Sequence, residues 1–402
     1  MQKRIKYGLV ILLLNALFIS CEREISSEQA DSFIKFYGNS LMDEAGEVEV
    51  LADGGYAICG TETNPTLGKR MVLILTDAYG NVQNGYPRYF VEEGLETGGN
   101  SLIALRGGLG GFVISGFVER PAEGGSGVQK DIFIVRTSAT GEAVWQRSYG
   151  SQNEEQVLHS VERIHSGYLL AGYRMRGGRS DIMIMGVTEE GDSVRLGLNY
   201  SNPYAMNSAA TFLLNTGESY LCACTYDKIG SEGTGIQILS FDDELSPMAL
   251  NLSGEFNEFG RCIIEAGDHE YLVLGNRENG SGESELLLYG IETKGLLITN
   301  SSLYATISAP NTDYIGQRFI QTPIGGLAIA GTRRIGNNSE ILLQFVNSSY
   351  QMGEGISFGA FGDQTGKDIK RTNDGGFVIL GTNNSGGSSI ISLLKTSATG
   401  DI

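Results

Sequence analysis

Asp53-Gly54-Gly55-Tyr56-Ala57-Ile58-Cys59-Gly60-Thr61 and Asp374-Gly375-Gly376-Phe377-Val378-Ile379-Leu380-Gly381-Thr382 are two copies of one phrase. Each places an aspartate-glycine turn before an aromatic residue, a short apolar run and a second glycine. Five looser copies lie between them: GGFVISGF from Gly110, SGYLLAGY from Ser166, GESYLCACT from Gly217, DHEYLVLGN from Asp268 and GGLAIAGT from Gly325. The equivalent small residue falls at Gly60, Gly116, Gly172, Cys224, Gly275, Gly331 and Gly381, at spacings of 50 to 56 residues.

A repeat of that length builds one small sheet, and one small sheet cannot bury both of its faces. It must stack on neighbours, and a ring of such sheets is the economical solution. Turn residues divide the second repeat into strands at 101–106, 111–117, 131–137 and 143–149. The third strand recurs at 71–75, 181–185, 236–239, 285–289, 340–345 and 390–394. Thr-Ser-Ala-Thr-Gly stands identically at Thr137–Gly141 and Thr396–Gly400, which aligns the second repeat with the last. The last repeat ends at Asp401-Ile402 without a fourth strand. Ser32-Phe33-Ile34-Lys35-Phe36-Tyr37-Gly38, near the other end, matches the missing piece, Val144-Trp145-Gln146-Arg147-Ser148-Tyr149-Gly150. The expectation is an all-β fold: a single β-propeller over residues 32–402, with seven four-stranded blades and a ring closed by the N-terminal strand against the last blade. Closure of this kind hides an edge that would otherwise template aggregation.

The Asp-Gly-Gly-aromatic turn, the Lys/Arg-Thr-x-x-x-Gly turn and the Trp-x-x-x-Tyr-Gly strand resemble those of bacterial exported propeller-repeat lipoproteins of unknown function. Repeats four and five depart most from the pattern, with Cys224 at the usual glycine. The N-terminus agrees with this resemblance. Lys3, Arg4 and Lys6 precede an apolar run from Leu9 to Leu14, too short to span a bilayer, which needs about 20 apolar residues. Leu17-Phe18-Ile19-Ser20-Cys21 resembles a lipoprotein cleavage site. The resemblance implies a signal peptide over residues 1–20, lipidation (palmitate among the acyl chains) on Cys21 and a membrane-anchored tether over 21–31. Glu22 and Glu24 after the cysteine fit export to the outer membrane and its surface-exposed leaflet.

Composition narrows the partners. The chain carries 57 glycines and 7 prolines in 402 residues, as many tight turns require, and a formal charge of −18. Loss of Lys3, Arg4 and Lys6 with the signal gives −18 − 3 = −21. Nucleic acid is excluded as a partner, because phosphate neutralisation needs clustered Lys and Arg. A protein or glycan partner fits better, bound by a monomer or within an envelope complex.

No motif marks a catalytic centre or a cofactor. A single tryptophan, Trp145, excludes the repeated-Trp turns of sialidase-like and quinone-dependent propellers. Gly124-Gly125-Ser126-Gly127 and Gly280-Ser281-Gly282 lack the strand-turn-helix setting of a nucleophile elbow. Glu154-Glu155, Glu189-Glu190 and Asp242-Asp243-Glu244 offer oxygen ligands that calcium could use, without a calcium-loop spacing. His159 lies on an inner strand, and His165 and His269 lie near turns. Asp192-Ser193-Val194 resembles a short bacterial O-glycosylation acceptor. Cys59, Cys222, Cys224 and Cys262 read as buried thiols, with a Cys222 or Cys224 to Cys262 disulfide as the alternative. Ligands are expected on the loops 62–70, 119–130, 226–235 and 276–283, which differ between repeats.

The functional expectation is a non-enzymatic binding or assembly scaffold. A glycan hydrolase or lyase with carboxylates at the channel mouth is the alternative, and a purely structural envelope component without a ligand pocket is a third.

Overall fold

The structure is a computed structural model and describes residues 32–402 except 40, 106–109, 123–126, 152–153, 165–166, 193, 204, 230–232, 253, 255 and 360–361. The signal segment, Cys21, the tether, His165, Ser193 and residues 124–126 of the glycine-serine stretch lie outside the described residues.

Seven four-stranded antiparallel sheets form the blades of a β-propeller. Their inner strands are Glu44–Val50, Glu96–Ala104, Glu154–Ile164, Ser208–Asn215, Asn257–Gly267, Asp313–Gln321 and Asp363–Arg371, in blades 1 to 7. In blade 7 the outermost strand is Phe33–Tyr37, which pairs antiparallel with Ser388–Thr396 from Phe33 opposite Lys395 to Tyr37 opposite Ile391. The N-terminal closure inferred from the missing fourth strand is therefore present.

The closing strand repeats the contacts of an ordinary outer strand. In blade 2, Trp145 packs on Gly191, and the Tyr149 hydroxyl donates to the Gly191 carbonyl at 2.6 Å. At the seam, Phe33 packs on Gly80, and the Tyr37 hydroxyl donates to the Gly80 carbonyl at 2.8 Å. Asp43, fully buried, accepts the Asn39 and Thr63 amides at 2.8 and 2.9 Å and so fixes the step from the closing strand into blade 1.

The recurrent turn has a local cause. Asp53 Oδ1 accepts the Gly55 amide at 3.0 Å, Gly54 adopts φ +86°, and a Cβ on Gly55 would meet the Thr76 carbonyl oxygen at 2.2 Å. Asp374, Gly375 and Gly376 repeat the arrangement against Thr396. Asp supplies the side-chain acceptor, and only glycine fits the two places after it.

The second glycine of each phrase answers to a different feature. Each inner strand carries a β-bulge opposite it, at Gly46-Glu47, Asn100, His159, Thr211, Arg261, Gln317 and Lys367. The bulge presses an inner-strand carbonyl onto the neighbouring strand. A Cβ on Gly116, Gly172 or Gly331 would lie 1.9, 1.9 or 2.0 Å from the carbonyl oxygen of Gly98, Val157 or Ile315. Blade 4, with Cys224 there, keeps the bulge without the glycine.

In four blades the residue that follows the axis-facing one links to the next blade. Asp368 accepts the Val48 amide at 3.1 Å, Glu47 the Leu102 amide at 3.0 Å, Ser101 the Val161 amide at 3.3 Å and Ser160 the Leu213 amide at 3.2 Å. This girdle runs from blade 7 to blade 4 around the axis, inside apolar layers such as Val48, Tyr56, Val72, Val378 and Leu393 between blades 1 and 7. Cys59, Cys222, Cys224 and Cys262 are buried free thiols in these layers, so the alternative disulfide does not form.

Deleting Phe33–Tyr37 removes roughly five ladder hydrogen bonds worth about 1 kcal/mol each and bares an edge, so the variant should melt lower and self-associate in sedimentation. Gly331→Ala should destabilise by about 1–3 kcal/mol in denaturant titration through overpacking, whereas Gly197→Ala, on a strand with open space around it and no left-handed φ, should cost less.

Candidate functional site in the central channel

Because the bulges occupy the same register in every blade, they turn one residue per blade toward the axis. Glu44, Gly46, Asn100, His159, Thr211, Arg261, Gln317 and Lys367 line a cavity of about 340 Å³, joined by Arg318. All seven blades contribute. The inner-strand ends that begin near Glu44 open it toward the face formed by the crossovers between blades.

The cavity is cationic at this level. Arg318 lies over the Phe212 ring, 4.7 Å from its centroid, and its Nη1 donates to the Arg261 and Gln317 carbonyls at 3.2 and 3.1 Å. Arg261 Nε is buried without a hydrogen-bond partner among the described residues. Lys367 is reached by solvent through the channel, yet protein surrounds it on every side. Burial and Arg318 push the Arg261 guanidinium down to about 10. Burial lowers Lys367 as well; Glu44 opposes that, and Arg318 and Arg261 add to it. His159, packed on Tyr173 with ring centroids 5.9 Å apart, is held neutral: burial and then Arg318, Lys367 and Arg261 push it down to about 4.

The next level is acidic. Lys370 Nζ lies 3.2 Å from both Glu47 and Glu49 and 3.8 Å from Asp368. Ser101 Oγ donates to Glu47 at 2.6 Å. Burial pushes the Glu47 carboxyl up, but Lys370, Arg318 and the bonds from Ser101 and Leu102 outweigh it and hold it below the usual range. Burial raises Glu49 and Asp368 despite Lys370. Burial, then the charge of Glu47, lifts Glu162 to about 7. Lys370 itself stays charged, because its three carboxylates overcome burial.

Of the residues singled out in the sequence, only His159 belongs to this site. His269 sits in an exposed turn at φ +58°. The acidic pairs are occupied: Glu154 by Arg174 and Arg176, Glu155 by the Tyr173 hydroxyl, Glu189 by Arg163, and Asp242 by the Glu244 and Ser246 amides. Among the described residues no group of three or more His, Cys, Asp or Glu side chains is placed to hold a metal. Gly280-Ser281-Gly282 is a hairpin turn held by Asn279 Oδ1.

The four loops expected to carry specificity are hairpins between second and third strands, and ion pairs hold several of them, two pairs each within a single hairpin and one between the hairpins of blades 1 and 2. Arg70 pairs with Glu62 at 2.6 Å, Lys69 with Glu119 at 2.9 Å and Arg277 with Glu285 at 2.6 Å. Blade-to-blade variety converging on a cavity lies instead at the bulges. Aligning the inner strands on the residue before the bulge, which is Ala or Gly in six blades (Ala45, Gly99, Ala210, Gly260, Gly316 and Gly366) and Leu158 in blade 3, exposes a variable, mostly polar position outside the loops.

No protein-family model matches the chain. No curated protein matches it either. The likeness to solved structures is one of fold. A protein of unknown function from Dyadobacter fermentans superposes with TM-score 0.51 at 11% identity, over 90% of this chain and 99% of that one. An ulvan lyase of a polysaccharide lyase family gives 0.56 at 9% identity, over 90% and 96%. A puromycin hydrolase gives 0.56 at 12% identity, where this chain spans about half of the other, 89% against 52%. The propeller thus has hydrolases and a lyase among its structural neighbours.

Two buried groups should give opposite pH slopes. Glu162 titrates in the folded chain near 7 instead of 4.5, so its contribution is present below 4.5 and lost as pH rises toward 7. His159 titrates near 4 instead of 6.5, so its contribution is present above 6.5 and lost as pH falls toward 4. In melting curves from pH 4 to 8, Glu162→Gln should gain on the parent at pH 7 and less at pH 5. His159→Gln should gain at pH 4.5 and little at pH 7.

Proposed function

We propose that this protein is a lipid-anchored, outer-envelope propeller that binds a protein or glycan partner, with the central cavity receiving the group that is recognised. The observation that carries this reading is the cavity itself, into which six blades send six different side chains at one register while blade 1 leaves room there with Gly46. A purely structural ring would have no use for that variety, and a filled axis would be more stable.

The same geometry weighs against a glycan hydrolase built on two carboxylates, which must face the scissile bond together. Glu44 is the carboxylate lining the cavity, while Glu47, Glu49 and Asp368 are held by Lys370 and by backbone amides. One feature supports a lyase as the second reading. His159, uncharged beside Arg261 and Lys367, could take a proton from a substrate whose acidic group those cations hold. Release of unsaturated products from an acidic glycan, abolished in His159→Ala, would favour that reading over binding alone.

Anchoring rests on the lipoprotein-like residues 17–21. The parent should incorporate labelled palmitate and sediment with membranes, and Cys21→Ala should do neither. Equal labelling of both removes the anchor from the proposal. Capture from native envelopes by the immobilised mature chain should enrich one partner, and prior loading of the cavity should reduce its recovery.

A further inference from the structure

We infer that the cavity is an oxyanion site, built for the carboxylate or sulfate group of an acidic carbohydrate one or two rings in size. This rests on the reading of the channel as the binding site and adds the chemical class of what it binds.

The chain is strongly acidic at −18, and its cations are mostly paired where they are buried. Arg70 meets Glu62, Arg277 meets Glu285, Arg333 meets Glu340, and Lys370 meets three carboxylates. Arg261, half-buried, breaks this rule, and Lys367, reached by solvent within the channel, stands in the same cavity. Among the described residues no carboxylate comes within 4.0 Å of either, and they converge with Arg318 on one cavity. Part of Arg318's charge is answered by Glu47 and Asp368. Nothing comparable answers Arg261, and Glu44 on the rim acts on Lys367 from beyond ion-pair distance.

Cations forced together in partial burial repel, and the cost persists unless a ligand repays it. Repulsion is written into all three groups: Arg261, Lys367 and His159 are each pushed toward their neutral forms by burial and by Arg318, with Arg261 acting also on Lys367 and His159, and Lys367 on His159. An anion between them reverses every one of those effects. The guanidinium of Arg261 offers a planar donor edge with an unused Nε, and Lys367 offers a point charge from two blades away, a pairing suited to a carboxylate or sulfate. Around the cations stand Asn100, Thr211, Gln317 and Glu44, which suit hydroxyl groups. A volume of about 340 Å³ fits a sugar ring or two and exceeds what an inorganic ion needs.

The experiment is thermal shift and calorimetry on the mature chain at fixed ionic strength, with glucuronate, sulfate and glucose as probes. Glucuronate should raise the melting temperature in a saturable way, sulfate should do so more weakly, and glucose should leave it unchanged. Lys367→Met with Arg261→Met should bind glucuronate at least tenfold more weakly, and it should melt above the parent when no ligand is present, because the repulsion is gone. Lys367→Met alone, at a solvent-reached position, serves if the double variant does not fold. In the parent, the imidazole resonance of His159 should titrate at higher pH with glucuronate than without. Equal responses to glucuronate and glucose, or unchanged binding in the variants, would overturn the inference. If a partner is still captured from envelopes after that result, the binding reading survives without its anionic ligand; if neither is seen, both fall.

Discussion

One inserted residue in each inner strand governs the centre of this molecule. A regular inner strand would alternate its side chains between the two neighbouring blades. The bulge interrupts that alternation once per blade, at a common height, and turns a side chain to the axis. Its cost is visible elsewhere: a carbonyl is pushed against the second strand, which must answer with glycine in blades 2, 3 and 6. The glycine that makes the repeat conspicuous in the sequence is thus the imprint of a feature that the sequence does not show directly.

The bulge also separates two electrostatic levels. Residues at the bulge face open space and carry the unanswered cations, while in blades 7, 1, 2 and 3 the next residues, Asp368, Glu47, Ser101 and Ser160, turn into the seams as hydrogen-bonded carboxylates and hydroxyls. The second set holds the ring together through amides of the adjacent blade. Of the first set, Asn100 shares that duty through the Leu158 carbonyl, at 2.7 Å, while among the described residues the Arg261 and Lys367 side chains make no hydrogen bond to a neighbouring blade. At those two positions binding and closure can therefore diverge in sequence without interfering, although they sit one residue apart.

Much of the architecture was legible because it rests on local chemistry. Asp-Gly-Gly marks a turn with a left-handed position and a place without room for Cβ, and Thr-Ser-Ala-Thr-Gly marks another, with Gly141 and Gly400 at φ +71° and +91°. The seam was legible because Phe33 and Tyr37 keep the spacing of Trp145 and Tyr149. The site was not, apart from His159. Asn100, Thr211, Arg261, Gln317 and Lys367 share no residue type, and what unites them is register against the second strand, a property of pairing. Polar loops drew attention instead, yet Glu62, Arg70, Arg277 and Glu285 there serve one another. Hydrolases and a lyase among the neighbours at 9 to 12% identity share the scaffold and leave the channel chemistry to be argued from these side chains.

The closing strand sets a condition on the chain. Phe33 and its partner Lys395 stand 395 − 33 = 362 positions apart in the chain. That pairing is the least local in the ring, so its loop-closure entropy is the largest of any strand pair. Blade 7 consequently acts as a check on integrity: its four strands come together only in a chain that retains both Phe33–Tyr37 and Ser388–Thr396.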